Sequence, residues 1–93
     1  MSVYVVQEVA YRSLHDLDFR ARLLEAPADA LAGEALEPAE RDALLAGDIA
    51  TLHEMGAHEF LLAHFARVGA FGLDPPTFSE RIRASTRPMS SDF

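Results

Sequence analysis

The stretch Leu36 to Leu62 reads LEPAERDALLAGDIATLHEMGAHEFLL, and its punctuation decides the fold. Glu37-Pro38 opens a helix with proline at its first position, where the missing N–H costs nothing, and Glu40 lies in the first turn, favourably placed against the helix dipole. Ala43, Leu44 and Leu45 supply the apolar side. Gly47 stands where a left-handed residue ends a helix, and Asp48 follows at once as N-cap of ATLHEM. Gly56 stops that short helix. A third helix is expected from about His58 to Val68, closed by Gly69.

The flanks read the same way. Val3, Val6, Ala10 and Leu14 repeat at helical spacing, although the β-branched start VYVV lets a short strand compete. Asp16 and Asp18 are caps for a second helix with Phe19, Leu23 and Leu24 on its inner face. PADALA gives one further turn, ended by Gly33. Asp74-Pro75 starts a last helix whose inner face carries Phe78 and Ile82. The expected fold class is all-α: a compact orthogonal bundle of about five or six short helices with a flexible C-terminal tail. The domain is expected over residues 1–84. A polar tail is expected over 85–93, where the apolar period is lost.

Composition narrows the function classes. The chain has 93 residues, a net charge of −7 and no cysteine, and all eight of its cations are arginine. An acidic surface has the wrong sign for phosphate neutralisation, so nucleic acid is not expected as a partner. Without cysteine there are no disulfides, no thiolate metal sites and no Cys nucleophile. The aliphatic runs are too short to span a membrane, and the N-terminus lacks a secretory signal. A cytoplasmic location is therefore the expectation.

The candidate chemistry dissolves on inspection. His53 and His58 flank Gly56, and His58 and His64 are six apart, a rotation of about 600° that separates their faces. Neither His53-Glu54 nor His58-Glu59 continues to the second histidine a zinc helix needs, since Ala57 and Leu62 stand there. Asp16, Asp48 and Asp74 are accounted for as caps. No metal, no cofactor and no enzymatic activity are expected. Instead, Phe60, Leu61, Leu62 and Phe65 cover most of one helix's circumference, and such a helix is either central or covered by a partner. The expected docking face joins Leu52, Met55, Phe60, Leu61 and Phe65 to Phe71 and Leu73, with Glu54 and Glu59 as an acidic rim steering towards a basic partner.

The pattern Leu36-x-Pro38-x-Glu40-Arg41-x-Ala43-Leu44-Leu45-Ala46-Gly47-Asp48, then Leu52, Gly56 and Phe60-Leu61-Leu62, resembles the LigA-type helical domain. That family is typified by the small α subunit of an extradiol ring-cleaving dioxygenase of the protocatechuate 4,5-dioxygenase type. The similarity runs from about Phe19 to Arg83. The resemblance implies a domain that is not itself catalytic. In the dioxygenases the iron belongs to the large β subunit, and the α subunit covers the mouth of the active site. LigA-like domains also occur in precursors of ribosomally made modified peptides, such as the split borosin systems. There a methyltransferase binds the domain and modifies the tail behind it. The expectation is a leader or precursor domain docking on such an enzyme, with Ser85, Thr86, Met89, Ser90 and Ser91 as the tail presented for modification. The alternative is the dioxygenase small subunit. A self-associating interaction domain, forming a homodimer, is the third class.

Overall fold

The computed structural model describes residues 3–89. Seven α-helices follow one another: α1 Val3–His15, α2 Leu17–Glu25, α3 Pro27–Ala32, α4 Pro38–Ala46, α5 Ile49–Glu54, α6 Glu59–Val68 and α7 Pro75–Ile82, with a 3₁₀ turn at Ala70–Gly72 between the last two. The all-α expectation holds. PADALA is a helix in its own right, which brings the count above the expected five or six. VYVV begins α1 and is no strand. Its valines are spent on helical burial, with Val6, Val9, Ala10 and Ser13 forming the inner face of α1.

Local chemistry accounts for the helix boundaries. The Asp16 carboxylate accepts from the Phe19 N–H at 3.1 Å, Asp48 from Thr51 at 3.2 Å, and Asp74 from Thr77 at 2.8 Å. Each cap satisfies one of the orphan donors at a helix start. The Thr77 hydroxyl and N–H together hold the Asp74 carboxyl below its ordinary value. Glu40 reaches back to the Glu37 N–H at 3.0 Å, so the acid that opposes the dipole also caps its own helix. His58 adds a cap of a different kind, its Nδ1 accepting from the Phe60 N–H at 3.0 Å.

Gly47 joins α4 to α5 with φ +65°, a left-handed conformation. A methyl group here would lie 2.7 Å from an Arg81 guanidinium nitrogen and 2.9 Å from the Phe71 carbonyl oxygen. Both the backbone angle and the close approach of the Phe71 carbonyl in the 3₁₀ turn therefore require glycine.

The core sits where α6 is surrounded. α1 packs along it, α5 and α7 close on it, α2 packs on α1, and α3 packs on α2. Phe19, Leu23, Leu31, Leu44, Ile49, Leu52, Leu62 and Phe65 are fully buried. Of the two readings of the apolar α6, the central one is right for Leu62, Phe65 and Ala66, whereas Phe60 alone is left outside.

Arginines sew the bundle together at helix C-termini. Arg20 donates to the Ser13 and Leu14 carbonyls at the end of α1, at 2.9 and 2.6 Å. Arg81 reaches from α7 to the Gly47 carbonyl at 2.9 Å, behind α4. Arg87 donates to the His53 carbonyl and, at 2.7 Å, to that of Ala57, beyond α5. Each places a cation at the negative end of a helix dipole and satisfies carbonyls left without an intrahelical partner. The planar guanidinium fork can serve two carbonyls at once, which a point-like ammonium does poorly.

Candidate functional site

Two regions carry chemistry that the core does not consume. The first is a polar cluster around His53. This side chain is fully buried, its Nδ1 2.6 Å from the Ser85 hydroxyl and its Nε2 3.1 Å from Glu59 Oε2. Glu59 is itself 4% exposed, with an Arg87 guanidinium nitrogen 4.0 Å away. Next to them, Glu54 accepts from the Thr86 N–H at 2.8 Å and from its hydroxyl at 3.2 Å.

A hydroxyl, an imidazole and a carboxylate in a row have the order of a nucleophile relay. Acyl transfer also needs N–H donors aimed at a developing oxyanion. Here the Arg87 N–H is turned onto the Ser85 oxygen at 3.2 Å, and the Thr86 N–H is spent on Glu54. The cluster instead fastens the chain: Ser85, Thr86 and Arg87 are all bonded back to α5, α6 or the loop between them. The compositional change after residue 84 is thus not where the packing ends.

The second region faces outward. Tyr4, Glu8, Tyr11 and His15 are all exposed, and spacings of four, three and four set them in one stripe along α1. Beside it, α6 contributes Phe60, His64 and Arg67 at spacings of four and three. The stripes meet in a continuous row of rings. Tyr11 lies 4.3 Å from His15, His15 lies 6.4 Å from His64 edge-on, and His64 lies 5.5 Å from Phe60 edge-on. Tyr4, Tyr11 and Phe60 are 77%, 53% and 51% exposed, while His64 is buried beneath the row. Burial, and then the positive charges of Arg67 and His15, hold His64 below the usual histidine pKa of 6.5.

The expected docking residues divide against this geometry. Leu52, Phe65 and Leu73 are core residues and offer no surface. They were placed outside because an apolar residue at helical spacing looks the same whether it faces its own bundle or a partner. Met55, Leu61 and Phe71 are half-buried against the core. Phe71 packs its ring on Phe65 at 5.2 Å and holds a φ of +56°, a strained angle for a non-glycine residue. Phe60 alone of the seven is half exposed. Of the acidic rim, Glu59 is buried beside His53, while Glu54 is exposed and accepts from Thr86.

Of the expected tail positions, Ser85 and Thr86 are engaged on α5, Met89 is 54% exposed, and Ser90 and Ser91 lie outside the described residues. The reading of the residues missed Tyr4, Tyr11 and His15. Their signal was available: once VYVV is accepted as helical, the spacing 4, 8, 11, 15 marks one face.

Among the described residues, no three His, Asp or Glu side chains converge as a metal ion would require. No helix of the described residues is long and apolar enough to cross a membrane. No curated protein and no solved structure matches the chain. A family model does, over residues 9–91, nearly the whole chain: the one described as "Aromatic-ring-opening dioxygenase LigAB, LigA subunit". The chain belongs to the LigA family.

Proposed function

We propose that this chain is a non-catalytic recognition domain that docks onto a larger enzyme through the outward row on α1 and α6. The observation that carries the reading is the row itself: Tyr4, Tyr11 and Phe60 are exposed on one face, and Tyr11 and Phe60 are linked through the rings of His15 and His64. Tyrosine and phenylalanine bring large contact area at small entropic cost, and such residues dominate the binding energy of interfaces. Two further facts support it. The residues with the strongest chemical potential, His53, Glu59 and Ser85, are committed to holding the C-terminal segment. The family is described by its place as a subunit of a ring-opening dioxygenase, which makes a larger subunit the natural partner class.

Two partner classes are to be tested. One is the large subunit of an extradiol dioxygenase, for which this domain would cover the active-site mouth. The other is a peptide-modifying enzyme such as a methyltransferase, for which the residues beyond Arg87 would be the presented segment. The engagement of Ser85 and Thr86 on α5 restricts any modification of the docked form to positions after the clasp.

The test is co-expression of the full chain with enzymes of each class encoded beside its gene, followed by co-purification. Catechol cleavage by the complex identifies the first class, and a mass increase on this chain identifies the second. Tyr11→Ala and Phe60→Ala should each weaken the complex by at least about tenfold. A complex indifferent to both substitutions would remove the row as the docking face, and the absence of any complex in either class would remove the reading.

A further inference from the structure

We infer that the α1–α6 row is self-complementary and pairs two copies of this chain in a two-fold dimer. The inference shares its face with the docking reading above and does not depend on which enzyme the domain serves.

The argument starts from the direction of the two helices. Near their starts, the Gln7 side-chain carbonyl accepts from the His58 N–H at 2.9 Å. Near their ends, His15 meets His64. α1 and α6 therefore run the same way. A helix rises about 1.5 Å per residue, so Tyr11 and Phe60 stand at one level and His15 and His64 one turn further on. Glu8 lies roughly one turn before this aromatic centre and Arg67 roughly one turn after it. One acid and one base thus stand at opposite ends of a face whose middle is rings.

That layout fits a copy of itself. A two-fold axis lying in the face, midway between Glu8 and Arg67 and perpendicular to the line joining them, sets each Glu8 opposite Arg67 of the second copy. The same operation lays the tyrosine, phenylalanine and imidazole rings of the two copies over one another. In an isologous contact every favourable pair occurs twice. Glu8 holds only a loose contact at home, 3.9 Å from Arg12 on the next turn, and Arg67 makes no ion pair among the described residues. Both are exposed and available to the second copy.

The chain's net charge of −7 opposes self-association in general. It selects this face in particular, because Glu8 and Arg67 cancel here and the two histidines add no negative charge. At physiological salt the repulsion between the remaining carboxylates is screened beyond roughly 8 Å.

Sedimentation velocity of the full chain, loaded from roughly 20 to 500 μM to cover weak as well as standard interfaces, tests the pairing. The expected result is a concentration-dependent dimer. Glu8→Arg and Arg67→Glu should each shift the species to monomer, by setting like charges opposite one another. The double variant E8R/R67E should restore the dimer, since the swap recreates both pairs. Both positions are exposed, and circular dichroism checks that helix content is kept. A monomer at every concentration overturns the inference. So does a dimer that survives both single reversals, or one that the double variant fails to rebuild. Only this chain is in the cell, so failure here leaves docking to a larger enzyme standing, and failure of that docking leaves the dimer standing.

Discussion

The two sides of this small bundle treat their polar and aromatic groups in opposite ways. Around His53, the buried imidazole and the buried Glu59 carboxylate are bonded or close to half-buried Ser85 and Arg87, which follow α7. Along α1 and α6, Tyr4, Tyr11 and Phe60 are half or more exposed, and Tyr11 and Phe60 meet the rings of His15 and His64. The first side ties the segment after α7 to α5 and α6. The second contributes little to the fold and has surface to give. Substitutions on the sewn side should therefore be read in stability, and those on the open side in association.

The largest expected effect is at the centre of the sewn side. His53→Ala removes the imidazole that lies 3.1 Å from the Glu59 carboxylate and opens a hole in a fully packed position. Leaving buried polar groups short of a partner costs about 1–3 kcal/mol and the cavity adds to it, so urea denaturation should show a loss of about 3 kcal/mol. Glu59→Gln, which keeps the shape and a hydrogen-bonding group facing His53, should cost less. An equal loss in both would mean that the contact with Glu59, and not packing, is what His53 supplies.

Gly47→Ala comes next. A left-handed angle in a residue with a Cβ costs about 1–2 kcal/mol, and here the methyl also meets the Phe71 carbonyl at 2.9 Å. A loss above about 2 kcal/mol is expected in the same denaturation experiment, with overpacking added to the backbone term. Arg87→Lys is milder. It keeps the charge but cannot serve the His53 and Ala57 carbonyls together, so a loss of about 1 kcal/mol is expected, the scale of one hydrogen bond. If Arg87→Lys were silent while Arg87→Ala was costly, charge at the end of α5 would be the whole effect.

The helix boundaries were legible because their causes are local. Asp48 and Asp74 each bond a backbone N–H three residues on, and Gly47 and Gly69 take left-handed angles directly after the helices they end. The family pattern spans the same junctions. The arginine caps were not legible, because Arg81 and Arg87 reach carbonyls more than thirty residues away along the chain. For the same reason Ser85 looked like a free tail hydroxyl, Glu59 like a rim acid, and Leu52 and Phe65 like docking anchors. Residue type and spacing give a helix a face, but only tertiary packing says whether that face looks inward. The open row shows the complementary failure. Its residues are mixed in type, Tyr, Glu, His and Phe, so no apolar period announced it.

On the open side, Tyr11→Ser and Phe60→Ser should change stability by less than about 0.5 kcal/mol, as exposed positions generally do, while weakening association with a second copy or a larger partner. A large stability loss at either position would mean that the row is part of the core and that the contrast between the two sides is drawn too sharply.

The smallest effect is a pH dependence from His64 on the open side. His64 has its folded pKa held below 6.5, first by burial and then by Arg67 and His15. Between that lowered value and 6.5 the unfolded chain binds more protons at this position than the folded one. Stability from His64 is therefore full above about pH 6.5 and falls as pH drops through the window beneath it. Aspartate and glutamate titrate mostly near pH 4, so the interval from pH 7.5 to 5.5 reports on histidines. Wild-type thermal unfolding should move to lower temperature across that interval, and His64→Gln should flatten the slope. An unchanged slope in His64→Gln would show that the row leaves its buried imidazole free to take up a proton. The row would then be as open to water beneath its rings as it is above them.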